Sequence, residues 1–183
     1  MRSSALISNL IKTLITSKTR VKLLLKFFLN PKNSAYLRGL SEELDESTNS
    51  VRLELNRLEA ANMLHSSKIG NKKMFTVNKL HPLFKDVNQI VRKYLGIDVI
   101  INNILRGLGE PIKIYLTGEL AEGRNCDLVD IILVGKINKN YLTDVIEKTE
   151  KIIERKIRYI AYTEGEFSKR SQNKNQLLIW EKD

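Results

Sequence analysis

The residues best suited to chemistry lie between Ser47 and Arg57. Hydroxyls come first, on Ser47, Thr48 and Ser50, followed by amides and guanidinium groups on Asn49, Arg52, Asn56 and Arg57. At helical spacing Val51, Leu55 and Leu58 share one face, and Asn49, Arg52 and Asn56 lie on the other, with Arg57 at its edge. The hydroxyls crowd the helix start, where Ser47 or Thr48 can act as cap and free backbone N–H groups suit a phosphate. An arginine can bond guanine in bidentate fashion, and an asparagine can do the same to adenine. Leu53 interrupts the polar face and suits either a thymine methyl or a partner chain.

A second group of cations follows. Lys68 precedes Gly70-Asn71-Lys72-Lys73, which reads as a hairpin tip between strands Leu64 to Ile69 and Met74 to Val77. Lysines there can reach phosphates or a minor groove.

These residues need elements to hold them. Ala5 to Ile15 carries an apolar stripe at helical spacing, and Val21 to Leu29 carries another that ends at Asn30-Pro31. Ser34 to Leu37 reads as a short link before a helix at Leu37 to Leu44. Asp45-Glu46 is a turn, and the Ser47 helix runs to Ala61, where Asn62 suits a left-handed stop. His81-Pro82 opens an amphipathic helix with Leu83, Val87, Ile90, Val91 and Tyr94 on its face, ending at Gly96. His81 is read as a helix-start residue and not a ligand. Beyond it the pattern is helix (Val99 to Leu108), a break at Gly109-Glu110-Pro111, and strands at Ile112 to Thr117 and Val129 to Val134. A long helix (Tyr141 to Lys156), a strand (Ile157 to Tyr162), a polar loop (Ser168 to Gln176) and a last strand (Leu177 to Trp180) complete it. The expected class is α/β in two domains, 1–96 and 97–183.

Charge supports that division. The chain has 183 residues and a formal net charge of +10. Residues 1–96 hold 17 Lys and Arg against 7 Asp and Glu, whereas 97–183 hold 14 of each. A basic half beside a neutral half suggests that one domain faces a polyanion. The single cysteine, Cys126, forms no internal disulfide, and with 2 histidines there is no His/Cys metal cluster to expect. Neither a spanning helix nor a signal peptide is read, so a cytoplasmic, non-membrane protein is expected.

The stretch from Glu46 to Leu64 resembles the recognition helix and strand entry of ArsR-type winged-helix repressors, over about residues 17–96. That likeness implies a winged helix-turn-helix and a homodimer on near-palindromic double-stranded DNA. Asn62 stands where the family usually has glycine. The metal-sensing types use cysteine and histidine pairs, and this half offers only His65 and His81.

Tyr115 to Gly123 and Asp127 to Gly135 resemble minimal nucleotidyltransferases, over roughly residues 98–183. Gly118, Ala121, Gly123, Asp130 and Gly135 fall in register. The chemistry departs from the family: Glu119 replaces the phosphate-site serine, Glu122 stands where a basic residue is common, and Leu128 replaces the first metal-binding aspartate. Asp127 and Asp130 are three apart on a strand and so point to opposite faces unless a bulge intervenes. The strand expected to carry a third carboxylate offers Arg158.

The resulting expectation is a DNA-binding transcriptional regulator. Its contact residues are Ser47, Thr48, Asn49, Ser50, Arg52, Asn56, Arg57, Lys68, Asn71, Lys72 and Lys73, and it has no cofactor, no metal and no catalysis. The nucleotidyltransferase-like domain is then left for dimerisation or for a small-molecule or protein effector. Dimer contacts are expected at Ala5 to Ile15 and Leu83 to Tyr94. The rival is an active Mg²⁺-dependent nucleotidyltransferase acting on a protein or small molecule.

Overall fold

Two separate sheets and the helices around them make this a mixed α/β chain. The structure, a computed structural model, describes residues 13–107, 109–169 and 175–182. Two compact units emerge: one of Ile11–Val91 with Gly123–Asn125, the other including Arg92–Glu122 and Cys126–Asp183. Among the described residues no helix is long and apolar enough to cross a membrane.

In the first unit, α1 (Lys18–Leu24) is capped by the Ser17 hydroxyl, which accepts from the Arg20 N–H at 3.2 Å. It continues into a π-helical turn, Leu25–Leu29, whose five residues are all buried. Of the stripe expected at Ala5 to Ile15, residues 5–12 lie outside the described residues; Thr13 and Leu14 are helical and Ile15 is not.

The expected link at Ser34 to Leu37 is instead strand β1 (Ser34–Tyr36), which pairs antiparallel with β3. Three residues are too few to show a period of two, and the partner that makes them a strand is distant in sequence. Next come α2 (Leu37–Leu44) and α3 (Thr48–Ala60), separated by Asp45 in the left-handed region at φ 49°. Asn62 takes φ 55°, the left-handed stop its position predicts.

Strands β2 (Leu64–Ile69) and β3 (Lys72–Val77) form the hairpin. Its tip is Gly70-Asn71 alone, with Gly70 at φ 58°, and this corrects the longer tip. The two-residue connection closes early enough for both lysines to join the ladder, Lys72 opposite Ile69 and Lys73 opposite Lys68. The core gathers Leu23, Phe27, Phe28, Leu40, Val51, Leu55, Phe75 and Val77, all buried.

α4 (Phe84–Tyr94) starts later than His81-Pro82 suggests. His81 stands just outside it: Nδ1 accepts from the Leu83 N–H at 3.1 Å and the carbonyl accepts from the Phe84 N–H at 2.9 Å. Of the expected apolar face, only Val91 is buried, while Leu83 and Ile90 are 55% and 47% exposed.

The second unit is built on a four-stranded sheet of order β6-β5-β4-β7. Its elements are α5 (Ile97–Leu105), β4 (Gly109–Thr117), α6 (Gly118–Ala121), β5 (Leu128–Ile137), α7 (Lys139–Ile153), β6 (Lys156–Tyr162), α8 (Glu164–Lys169) and β7 (Leu177–Glu181). β5 and β6 run parallel, joined by the α7 crossover, and the other pairs are antiparallel. Leu116 faces Ile131 and Ile114 faces Leu133 across one buried surface. α5 and α7 pack on each other, with Asn103 bonded to Thr149 between them and Ile100, Ile104, Leu142 and Ile146 buried.

Gly109-Glu110-Pro111 is not a break but the start of β4, with a bulge between Pro111 and Lys113. Proline is tolerated where the ladder is already irregular. The close approach there needs glycine at position 135, since a Cβ would lie 2.3 Å from the Glu110 carbonyl oxygen.

The loop expected at Ser168 to Gln176 is helical at Ser168 and Lys169 and lies outside the described residues at 170–174. Thr163 and Glu166 start α8 as a reciprocal cap. The Thr163 hydroxyl accepts from the Glu166 N–H at 3.3 Å, and the Glu166 carboxylate accepts from the Thr163 N–H at 2.7 Å.

Candidate functional site

α3 carries the first candidate surface. Its buried side is Val51, Glu54, Leu55 and Leu58. Asn49, Arg52, Leu53 and Asn56 are exposed on the outward side. Among the described residues, no ion pair or side-chain hydrogen bond engages Asn49, Arg52 or Asn56. Leu53 is 50% exposed in the middle of this polar face.

The helix start is more committed than its hydroxyl content suggests. The Ser47 side chain accepts from the Ser50 N–H at 3.1 Å and bonds the Ser50 hydroxyl at 2.8 Å, so that N–H is already used. The Thr48 hydroxyl accepts from Ser41 at 3.3 Å.

Arg57 also has a partner, its guanidinium donating to Glu54 at 2.9 Å. The same buried carboxylate takes two bonds from Arg20 of α1, at 2.7 and 3.2 Å. Burial pushes the Glu54 carboxyl up, but Arg20, Ser17 and Arg57 together outweigh it and hold the group below the usual carboxylate value. Glu54 therefore fixes α3 to α1 from behind its exposed face. Its charge in a run of polar helix residues gave no sign of burial; only Val51 three residues before it and Leu58 four after it, on the same face, hinted at this.

On the hairpin, Lys68 and Lys73 stand directly opposite each other on one face of the ladder. Like charges in that position are destabilising. Glu59 of α3 relieves the clash by accepting from Lys73 at 2.7 Å, and it also accepts from the Ser66 hydroxyl. These two bonds hold the Glu59 carboxyl below its usual range. Lys72 points the other way, with its ammonium 4.0 Å from the centre of the Tyr36 ring. Glu59 and Tyr36 were not singled out in the sequence, because their partners come from other elements. Lys68 and Asn71 are exposed, and no ion pair engages Lys68 among the described residues.

The second candidate is a groove of about 520 Å³ in the α/β unit, lined by Thr117, Gly118, Glu122, Asp130 and Arg158 among others. Asp130 and Arg158 are neighbours on the parallel strands β5 and β6. Arg158 donates to both Asp130 oxygens, at 2.5 and 3.0 Å. The bond and charge of Asp130 push the guanidinium pKa still higher.

Gly118, at φ 66°, lets its backbone pass close to this pair: a Cβ there would lie 2.5 Å from an Asp130 oxygen. Leu128 is two residues before Asp130 on the same strand, so an apolar side chain takes the same-face position beside it. Glu122 accepts from the Asn175 amide at 2.5 Å, and Glu119 is exposed. Asp127 precedes β5 and lines a different cavity, together with Glu147, Glu150 and Glu154. Among the described residues, no three His, Cys, Asp or Glu side chains are grouped to hold a metal ion.

No protein-family model matches the chain, and no curated protein matches it. Among solved structures, the crystal structure of AF1382 from Archaeoglobus fulgidus is similar at 18% identity and a TM-score of 0.35. The match covers 52% of this chain and 97% of that one.

Proposed function

We propose that this protein is a double-stranded-DNA-binding transcriptional regulator acting as a homodimer. In this reading α2 and α3 form a helix-turn-helix, β2 and β3 form its wing, and residues 97–183 are a nucleotidyltransferase-like domain without catalysis. One observation carries the proposal. α3 is anchored by Val51, Leu55, Leu58 and Glu54, and it turns Asn49, Arg52 and Asn56 outward without partners among the described residues. A helix held from behind with free base-reading side chains in front suits the major groove, which is about 12 Å wide. The lysine hairpin beside it suits backbone phosphates.

Dimerisation is assigned to α4 together with Leu83, the residue just before it. Leu83, Val87 and Ile90 recur at spacings of four and three, and Leu83 and Ile90 are largely exposed. Two copies would present α3 at half-sites about one helical turn apart.

The rival, an Mg²⁺-dependent nucleotidyltransferase, must assemble two metal ions from several oxygen ligands. Asp130 is its one matching carboxylate, and a guanidinium rather than a second acid sits against it. Selection of bound duplexes from a random pool tests the reading. Enriched sites with two-fold symmetry are expected, and failure to enrich any duplex would overturn it.

A further inference from the structure

A groove of about 590 Å³ lies on α7 beside α5 and shares no lining residue with either candidate surface. Its lining includes Tyr141, Val145 and Ile152 of α7, with Asn103 of α5 and the fully buried Thr149. Tyr141, Val145 and Ile152 are each only half-buried, although they belong to the apolar side of their helix. Polar groups on the floor bond one another: Asn103 donates to the Thr149 hydroxyl at 3.2 Å, which donates to the Val145 carbonyl at 2.7 Å.

Around this floor stand three cations, Arg106, Lys148 and Lys151, against one carboxylate, Asp144. Among the described residues no ion pair engages any of the three. The volume is in the range of small-molecule sites, about 300–1,000 Å³. An apolar floor whose polar groups bond one another offers little to a sugar or a peptide backbone. A cationic rim favours an anionic head over a neutral one.

We propose that this groove binds a small amphipathic carboxylate, with an apolar body of medium-chain acyl size lying on Tyr141, Val145 and Ile152 and its head among Arg106, Lys148 and Lys151. The assignment is to a free organic acid rather than a lipid surface, because the lining encloses a groove of small-molecule volume rather than a broad apolar face. It rests on none of the residues used in the DNA-binding reading, so either can fail without the other.

Titration calorimetry of the full chain with decanoate tests it, with decanol as the neutral counterpart and decanoate kept below its micelle concentration. Saturable one-to-one binding is expected, weakened at least tenfold by Val145→Glu, by Lys148→Glu with Lys151→Glu, and on replacing decanoate by decanol. Lys148 and Lys151 are exposed, so that double variant reads the site even if Val145→Glu does not fold. Three results would each overturn the proposal: no saturable binding, decanol binding as tightly as decanoate, or unchanged decanoate binding in both variants. A fourth is a change in oligomeric mass on Lys148→Glu with Lys151→Glu, which would make the groove an interface between copies. Binding to anionic vesicles but not to free decanoate would likewise reject the free acid as ligand.

Discussion

At the residue scale, the cations of the basic half differ in how free they are. Arg52 has no partner among the described residues, whereas Arg57 is tied to Glu54 and Lys73 to Glu59. If Arg52 reads a base, Arg52→Ala weakens specific binding by about 1–3 kcal/mol and leaves random DNA nearly unaffected. Equal losses on both, measured by fluorescence anisotropy, would remove its reading role. Lys68→Ala acts differently: it weakens all sequences and lowers the slope of log K against log salt by about one unit. Glu59→Gln is the converse case. Releasing Lys73 from its carboxylate raises affinity for random DNA and steepens that slope. An unchanged slope in this variant would mean that Lys73 does not meet phosphate.

At the element scale, the packing of α3 depends on one buried carboxylate. Glu54→Gln leaves Arg20 and Arg57 without their charged acceptor and should lower stability by about 1.5–3 kcal/mol, read by denaturant titration. The pH dependence follows from three glutamates. Glu46 is held below its ordinary value of 4.5 chiefly by Lys22, Glu59 chiefly by Lys73, and Glu54 by its arginines against the opposing effect of burial. A carboxyl with a lower pKa folded than unfolded stabilises the fold fully above the unfolded value. That contribution fades as pH falls below about 4.5 and through the lower folded values. The melting temperature should therefore drop in this acid window, less steeply in Glu54→Gln. A melting temperature flat between pH 5 and roughly pH 3 would contradict the linkage.

For the whole molecule, the proposal separates a basic unit that meets a polyanion from a neutral one that performs no phosphoryl transfer. Asp130→Ala should leave DNA binding unchanged, and Mg²⁺ with ATP should leave the melting temperature of the wild-type chain unchanged. Nucleotide turnover that is lost in Asp130→Ala would establish the enzyme instead.

Much of this molecule was legible in its sequence because the signals are local. The Ser47 cap, the 3.6-residue period of Val51, Leu55 and Leu58, the left-handed Asn62 and the Gly70 turn each depend on a few neighbouring residues. The capping pair Thr163 and Glu166 is equally local. Other features depend on distant partners. β1 is a strand only because β3 lies beside it, and Pro111 sits in β4 because a bulge and Gly135 admit it. Which charges are free and which are spent, Arg52 against Arg57, or Asp130 bound to Arg158, depends on side chains brought together from separate elements. Sequence period and composition set the elements and the charge division between the halves. Only the tertiary structure decided the partners, because a side chain's electrostatic state is determined by what the fold brings within a few ångströms of it.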